Sequence, residues 1–201
     1  MSDQKWPVME QFYTVQGEGK YTGHAAYFIR LAGCDVGCVW CDVKDSWDAT
    51  GYPVFSANEL AHKASFHPCD IVVITGGEPA MYDLTELTKA LHNVGKRVHI
   101  ETSGAHPIRG SFDWVTFSPK KFKAPLSESA LLADELKIII YNSSDFDWAI
   151  KHQEMVAKTC LLYLQPEWSK RDQMHGQMVD FVLKNPIWKI GIQSHKYIGV
   201  E

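Results

Sequence analysis

Short apolar runs recur along the chain, and segments with helical periodicity separate them. Six runs are predicted as strands: AAYFIRLAG (25–33), IVVITGG (71–77), RVHIETSG (97–104), WVTFSPK (114–120), LKIIIY (136–141) and LLYLQP (161–166). Most are nearly continuous in apolar residues, with little alternation, which is typical of parallel strands covered on both faces. A last strand-like stretch, WKIGIQSHKY (188–197), follows near the end of the sequence.

Helices are predicted between these strands from capping residues and apolar spacing. The predicted starts are Ser56, Asp83, Asp145 and Asp172. A glutamate follows the first two of these residues three positions later, which is the signature of a capping box. Gly95 predicts the end of the second helix. The third helix is expected to carry Phe146, Ala149 and Ile150 on its apolar face.

The repetition of strand, helix and strand predicts a right-handed α/β architecture. A complete eight-fold barrel takes about 250 residues, whereas this chain has 201 residues and room for only about six units. We therefore predict an α/β fold with a single domain over residues 1–201, a partial parallel β/α barrel. A doubly wound open sheet would satisfy the same pattern.

The composition is typical of a soluble globular protein, with 45% hydrophobic and 22% charged residues. A net charge of −4 argues against a broad phosphate-binding surface, so no nucleic-acid partner is expected. No stretch approaches the roughly 20 apolar residues of a membrane-spanning helix, so no membrane partner is expected either. The first residues also lack the basic start and apolar run of a secretory signal.

The cysteines define the candidate chemistry. The segment CDVGCVWCD (34–42) places Cys34, Cys38 and Cys41 in a C-x3-C-x2-C pattern directly after the first predicted apolar strand. Three thiolates are too few for a closed structural zinc site, although a zinc loop with a fourth ligand from elsewhere stays an alternative. Soft thiolates also suit iron–sulfur clusters, and a four-iron cluster held by three cysteines leaves one iron open to another ligand. The total of five cysteines favours a reducing compartment, so we expect a cytoplasmic protein.

Four polar motifs each follow a predicted strand: TGGEP, ETSG, SPK and QPEW. In parallel α/β folds, ligand sites form at the carboxyl ends of the strands. We therefore expect these motifs to line one site. Two of them have a simpler reading as well, since TGGEP fits an ordinary turn into a helix and SPK fits a helix start with a capping serine.

The cysteine triplet together with GGEP resembles the radical S-adenosylmethionine (SAM) superfamily. A closer resemblance is to the 7-carboxy-7-deazaguanine synthase family, and it extends over nearly the whole chain. It rests on FYTVQGEG (12–19), FIRLAGC (28–34), ELK (135–137) and QSHKYIGVE (193–201), together with the strand-end motifs in the same order.

This resemblance implies a radical SAM carbon–nitrogen lyase that converts 6-carboxy-5,6,7,8-tetrahydropterin to 7-carboxy-7-deazaguanine with release of ammonia. The pathway would be queuosine or 7-deazapurine biosynthesis. The implied cofactors are a [4Fe-4S] cluster, SAM and Mg²⁺. The implied partners are a pterin substrate, an electron donor such as flavodoxin or ferredoxin, and a second copy of the chain in a homodimer.

The resemblance also implies the site residues. Cys34, Cys38 and Cys41 would hold the cluster. The SAM side would comprise Trp40, Cys41, Asp42, Gly77, Ser118, Pro119, Lys120, Gln165, Pro166, Glu167 and Trp168. The substrate side would comprise Val15, Gln16, Gly17, Arg30, Thr75, His195 and Glu201, with Glu101 as the catalytic residue.

Several of these residues have a structural alternative. Arg30 would pair with the substrate carboxylate, or with an acidic residue on a neighbouring strand. Glu101 would hold pterin N–H groups or move a proton, or make a structural hydrogen bond. His195 would contact the substrate, or pack against the chain terminus. Val43 stands where the family commonly has a hydroxyl that ligates Mg²⁺, which makes Mg²⁺ the weakest cofactor assignment.

Two other functions are compatible with parts of the pattern. One is a small activating enzyme that generates a glycyl radical on a protein partner. The other is a non-catalytic zinc-binding or redox-responsive module. The FYTVQGEG and QSHKY segments argue against the first of these.

Overall fold

A computed structural model describes residues 4–200. Its strands are β1 (Lys5–Val15), β2 (Ala25–Leu31), β3 (Val54–Ser56), β4 (Ile71–Gly76), β5 (Arg97–Thr102), β6 (Trp114–Phe117), β7 (Glu135–Ile140), β8 (Leu161–Pro166) and β9 (Trp188–Ile190). Its helices are α1 (Ala57–Ser65), α2 (Thr85–Asn93), α3 (Ser127–Leu131), α4 (Asp145–Gln153), α5 (Arg171–Lys184) and α6 (Ser194–Ile198).

All of the strands join one sheet in the order β3-β1-β2-β4-β5-β6-β7-β8-β9. Strands β2 and β4 to β9 pair in parallel, and the sheet does not close on itself because β3 and β9 remain at its two edges. The predicted partial parallel β/α barrel is therefore confirmed. Each of the six predicted apolar runs contains one of the parallel strands.

The apolar runs are buried on both sides of the sheet, as continuous hydrophobicity predicts. Ile29, Ile74 and Ile100 belong to a core under α1 and α2, and the second half of the sheet packs against α3, α4 and α5. Inside the curved sheet, Phe28 and Val73 form a smaller cluster. This cluster forms an apolar part of the barrel interior.

Two strands were not predicted from the sequence. Strand β1 pairs antiparallel with β2, and β3 pairs antiparallel with β1. Strand β1 carries Pro7 and only partly buried residues over most of its length, so it lacks the continuous apolar signal of the parallel strands. Its pairing brings the loop after Val15 over the open end of the barrel.

The helix predictions are correct in position and partly wrong in detail. The capping box of α1 forms, since Ser56 accepts from the Glu59 backbone and Glu59 accepts from the Ser56 backbone. The capping box predicted at Asp83 does not form: its carboxylate accepts from Thr85 N at 3.0 Å, and buried Leu84 takes the N-cap position. Gly95 ends α2 as predicted, with φ at +78°.

Two further expectations need correction. Ile150 was expected on the apolar face of α4, but it is 38% exposed. The stretch WKIGIQSHKY is strand only at β9, after which α6 begins at Ser194. The change occurs because Gly191 N still bonds to Leu164 O on β8 at 2.7 Å, whereas Ser194 N turns to Gly17 O at 2.9 Å. None of the helices between residues 4 and 200 combines the length and apolar character needed to cross a bilayer.

Candidate active site

The polar loops at the carboxyl ends of the parallel strands surround one cavity of about 290 Å³. All of the site residues predicted from the sequence line this cavity, except two. Pro119 lies off the wall, and its carbonyl accepts a hydrogen bond from Trp148 Nε1 at 3.4 Å. Glu201 falls outside the described residues. The structure thus brings the four strand-end motifs to one place, as expected.

The cysteine loop is fixed by backbone hydrogen bonds. Gly33 N donates to Ser46 O at 2.7 Å, and Cys34 N donates to Trp47 O at 3.1 Å. Gly33 has a φ of +99°, which a residue with a side chain rarely adopts. Asp35, next to the first thiol, pairs with Lys123 and with His106 Nε2, the latter at 3.0 Å. The loop is therefore held from two sides.

The glycine motif packs directly against this loop. A Cβ at Gly77 would overlap the Gly33 carbonyl and would lie 2.9 Å from the Cβ of Cys34. Glu78 N also donates to Gly33 O at 2.9 Å. Gly77 is thus required by the close approach of two protein segments, in addition to any ligand contact.

Glu78 joins the glycine motif to the ETSG motif, a role that the sequence analysis missed. Its side chain is 1% exposed and accepts from Ser103 N at 2.8 Å and from Ala80 N at 3.0 Å. The hydroxyls of Thr102 and Ser103 also donate to it. Because every one of these donors bonds to the buried carboxylate, Glu78 links the carboxyl ends of β4 and β5 and has a structural role. A glutamate inside an otherwise apolar and glycine segment was the available signal.

The three predicted cluster ligands fit soft metal chemistry. All three are free thiols on the cavity wall, and Cys38 is 8% exposed. Burial raises the pKa of the Cys34 thiol, and it raises the pKa of Cys38 to about 11. Metal binding would replace these protons, since the thiolate is the ligand. Within residues 4–200, no three His, Cys, Asp or Glu side chains converge closely enough to share a single metal ion.

Two buried polar atoms of cavity-lining residues lack a partner among residues 4–200. They are Trp47 Nε1, a donor, and Gln165 Oε1, an acceptor. Buried polar groups are nearly always hydrogen-bonded. Both atoms therefore fit polar ligand groups bound in this cavity, and Gln165 was predicted on the SAM side.

A buried ion-pair network also lines the cavity. Lys137 Nζ pairs with Glu18 and lies 3.1 Å from Glu101 Oε2. Gln16 Nε2 donates to Glu101 Oε1 at 3.1 Å, and Gln193 Nε2 donates to Glu18 Oε1 at 2.9 Å. The sequence analysis placed Gln16 and Glu101 at the site but missed the roles of Lys137, Glu18 and Gln193. A lysine inside the apolar run LKIIIY needs a buried partner, and that was the available signal.

The network fixes the charges of its members. Burial alone would lower the pKa of Lys137, but the charges of Glu101 and Glu18 override burial and raise it. Burial alone would raise the pKa of Glu18, but the charge and hydrogen bond of Lys137 lower it to about 2. Lys137 is therefore an ammonium and Glu18 a carboxylate at neutral pH.

Arg30 makes the structural pairing that was the alternative to substrate binding, and it also lines the cavity. Its Nε donates to Glu10 Oε1 on β1 at 2.5 Å, and its guanidinium lies 5.8 Å from the Phe12 ring centroid. The terminal guanidinium nitrogens have no hydrogen-bond partner among residues 4–200, while the residue lines the cavity. One edge of the fork is used structurally, and the other edge remains for a carboxylate.

His195 also combines packing with a place at the cavity. It lies against Gly17, where an added Cβ would overlap its imidazole ring. Burial lowers the pKa of His195, so the neutral ring is favoured. Ser194 N donates to Gly17 O at 2.9 Å, which ties α6 to the loop after β1.

Lys120 contacts two other residues that were predicted for the SAM side, Ser118 and Trp40. Lys120 Nζ donates to Ser118 Oγ at 2.5 Å and lies 5.5 Å from the Trp40 ring centroid. Burial, followed by the charge of Lys137, lowers the pKa of Lys120 to about 8. Asp42 Oδ2 accepts from Lys196 at 3.0 Å.

The position expected to ligate Mg²⁺ offers no side-chain oxygen. Val43 lines the cavity, and its carbonyl accepts from Ser46 Oγ at 2.6 Å. Mg²⁺ takes oxygen ligands in near-ideal octahedral geometry. Val43 therefore cannot supply the hydroxyl ligand for Mg²⁺ that the family commonly has at this position.

The open barrel and its thiol-lined cavity are those of the radical SAM class, and the family model described as the Radical SAM superfamily matches residues 28–121. Radical SAM proteins use a [4Fe-4S] cluster together with SAM, so membership of this superfamily implies both cofactors.

Comparison with individual proteins is more specific. A 7-carboxy-7-deazaguanine synthase of Flavobacterium psychrophilum is 49% identical over 194 residues, covering 96% of this chain and 92% of the relative. A 7-carboxy-7-deazaguanine synthase of Synechocystis is 45% identical, covering 98% of this chain and 94% of the relative. The crystal structure of QueE from Escherichia coli superposes with a TM-score of 0.87 at 32% identity, covering 95% of each chain. The chain belongs to the 7-carboxy-7-deazaguanine synthase family, as its motifs predict.

Proposed function

We propose that this chain is a radical SAM carbon–nitrogen lyase that converts 6-carboxy-5,6,7,8-tetrahydropterin to 7-carboxy-7-deazaguanine and ammonia, in queuosine or 7-deazapurine biosynthesis. The observation that carries the proposal is that the thiol triplet and the Glu101–Lys137–Glu18 network line the same cavity. The thiols suit a cluster that generates a radical. The charged network suits a heterocycle with several N–H groups and a carboxylate.

Cys34, Cys38 and Cys41 would hold the cluster, and the SAM side would be formed by the residues predicted above. When bound, the cluster and SAM supply a 5′-deoxyadenosyl radical that removes a hydrogen from the substrate and later returns it. Gln165 supports this assignment because its buried Oε1 needs a donor that residues 4–200 do not supply. Trp47 Nε1 needs an acceptor in the same way.

On the substrate side, the terminal nitrogens of Arg30 would bind the pterin carboxylate as a fork. Glu10 and Phe12 hold the guanidinium so that its free edge is presented to the cavity. Glu101 would accept ring N–H groups and hold a proton during rearrangement. Lys137 pairs with Oε2 of Glu101 and Gln16 donates to Oε1, so both carboxyl oxygens are held in place. Thr75, Val15, Gly17 and His195 would complete the substrate wall.

Mg²⁺ is the cofactor that the site supports least. Because Val43 offers no side-chain oxygen, Mg²⁺ has no assigned protein ligand at this position. Glu201, proposed to reach the substrate through the chain-terminal carboxylate, stays a prediction.

We further propose that residues 1–201 form one domain, because the strands of the described part make a single continuous sheet. A homodimer is supported by the open edge at β9, where Ile190, Ile192 and Tyr197 are 40%, 51% and 64% exposed. A one-electron donor such as flavodoxin or ferredoxin would reduce the cluster, and a reducing cytoplasm would preserve its thiolates.

Anaerobic reconstitution tests the function. Protein loaded with iron and sulfide is incubated with SAM, dithionite and the carboxypterin, and 7-carboxy-7-deazaguanine is followed by mass spectrometry. The proposal expects product, and it expects Cys38→Ala to make none while remaining folded. SAM cleavage without product would favour the glycyl-radical activating enzyme. A colourless protein with zinc and no acid-labile sulfide would favour the zinc module.

A further inference from the structure

The interior of the barrel beneath the substrate wall is polar. The interiors of parallel barrels are usually filled with branched apolar side chains. Here two strands each contribute polar residues two positions apart, His99 and Glu101 on β5 and Glu135 and Lys137 on β7. His99 is 3% exposed and Glu135 is 2% exposed, and neither residue lines the large cavity. The sequence analysis assigned nothing to either residue.

A second, small cavity lies at this level. Its volume is about 10 Å³, close to the space that one water molecule needs. Gln16, Glu18, Glu101 and Lys137 line both cavities, so the small one lies directly behind the proposed substrate wall. His99, Glu135 and Thr116 line only the small cavity.

The polar atoms around the small cavity are incompletely bonded. His99 Nε2 is buried and has no hydrogen-bond partner among residues 4–200. Glu135 Oε2 accepts from Lys20 N at 2.9 Å, whereas no donor from residues 4–200 reaches its Oε1. Groups of this kind in a polar cavity are the usual partners of an internal water, which makes about three hydrogen bonds.

We propose that the small cavity binds one water molecule between His99 Nε2 and Glu135, and that this water positions Glu135 beneath the Lys137–Glu101 pair. The water would donate one hydrogen to the imidazole nitrogen and one to the carboxylate, and it would accept from the Thr116 hydroxyl. The second clause of the proposal rests on the proposed function, because it concerns how Glu101 is held for substrate.

The charge state of His99 supports this arrangement. Burial, followed by the charge of Arg97, lowers the pKa of His99 to about 4, so the neutral ring has an acceptor nitrogen at neutral pH. Lys20 and His24 also disfavour a charged His99, while Asp113 favours it. Burial raises the pKa of Glu135, against the lowering effects of the Lys20 backbone hydrogen bond and of Lys137. A water hydrogen-bonded to a Glu135 oxygen would fix this side chain below Lys137, and Lys137 in turn pairs with Glu101.

A high-resolution crystal structure of the cluster-loaded protein tests the first clause without any turnover. We expect one spherical density peak within hydrogen-bond distance of His99 Nε2 and Glu135. An empty cavity would overturn the proposal. So would an anomalous peak after a rubidium soak, because it would show a monovalent cation site instead of a water site.

Steady-state kinetics test the second clause. His99→Phe removes the acceptor, and we expect kcat to fall roughly ten-fold with little change in KM, since small misplacements of catalytic groups are costly. His99→Gln restores a polar atom and should recover most of the loss and the wild-type pH profile. His67→Phe, a control in the stack between Tyr13 and Tyr27, should leave kcat unchanged.

The possible failures can be told apart. If His99→Gln is as slow as His99→Phe while both variants unfold at wild-type denaturant concentrations, His99 does not act through a water. If the wild-type protein makes no product at all, the proposed function fails, but the crystallographic test of the water site still stands.

Discussion

Lys137 Nζ lies 3.1 Å from Glu101 Oε2 and pairs with Glu18 at the same time, so one ammonium on β7 joins the end of β5 to the loop after β1. The lysine side chain is 8% exposed, which makes it a buried ion pair. Removing one member of such a network leaves charges buried without partners. The same ion pairs therefore stabilise the fold around the cavity and position Glu101 for its proposed role in the reaction.

The first prediction concerns this lysine. Lys137→Met should lower the free energy of unfolding by about 3–5 kcal/mol, because Glu18 and Glu101 would stay buried without their cation. Urea denaturation of the anaerobic protein measures the change. Lys121→Met is the control: this lysine is 37% exposed, and its partner Asp145, though 8% exposed, keeps hydrogen bonds from Tyr141 N and Asn142 N at 2.8 Å. A change within about 1 kcal/mol is therefore expected. Equal effects of the two substitutions would contradict the role given to Lys137.

The second prediction is a dependence of stability on pH. The folded-state pKa of Glu18 is about 2, below its ordinary value of 4.5. A lowered pKa means that the unfolded state binds the proton more tightly than the folded state does. The contribution of ionised Glu18 to the free energy of unfolding is therefore complete above pH 4.5, and it is lost as the pH falls toward about 2. Thermal unfolding between these limits should show Glu18→Gln with a flatter pH profile than the wild type. Parallel profiles would contradict the assignment.

The third prediction concerns Gly77. Gly77→Ala should destabilise the protein by about 1–3 kcal/mol through overpacking, and it should reduce iron and sulfide content after reconstitution, because the new Cβ overlaps the Gly33 carbonyl beside Cys34. Gly176→Ala is the control. It lies in α5 with no atom within 4 Å of the added Cβ, so a gain of about 0.5–1 kcal/mol is expected. Normal iron and sulfide content in Gly77→Ala would show that cluster binding does not require the close contact between Gly77 and the cysteine loop.

The fourth prediction concerns substrate binding. Arg30→Ala should weaken binding of the carboxypterin by about 2–5 kcal/mol while SAM binding is retained, because the guanidinium fork would be lost. Isothermal titration with each ligand separates the two effects. Arg97→Ala, whose guanidinium bonds to Tyr21 OH at 3.1 Å outside the cavity, should bind both ligands as the wild type does. If Arg30→Ala bound the carboxypterin as tightly as the wild type, Arg30 would not bind the substrate carboxylate, and its role would be the structural pairing with Glu10.

Some parts of the site follow from local sequence. The C-x3-C-x2-C spacing, the glycines beside it and the motifs after each strand are short patterns that need only the next few residues to be interpreted. Parallel pairing then follows from continuous apolar runs, and parallel strands bring their carboxyl ends to one edge. For this reason the four motifs that follow the strands all reach the cavity, whereas Val15, Gln16, Gly17 and His195 were predicted only from the family resemblance.

Other parts depend on long-range pairing and could not be predicted in this way. Strand β1 has no strong apolar signal, yet its antiparallel pairing with β2 carries Gln16 and Glu18 over the barrel mouth. Glu18 and Lys137 are more than a hundred positions apart, and Glu78 binds a strand end 24 residues away.

The sequence by itself therefore determined the class of fold, the cysteine loop and the rim of polar motifs, since each is encoded by neighbouring residues. The tertiary structure decided which charges meet, why Gly77 cannot carry a side chain and where the barrel interior is polar. Those features arise from the register and curvature of the sheet, and the free energy of a buried charge depends on partners that the local pattern does not name.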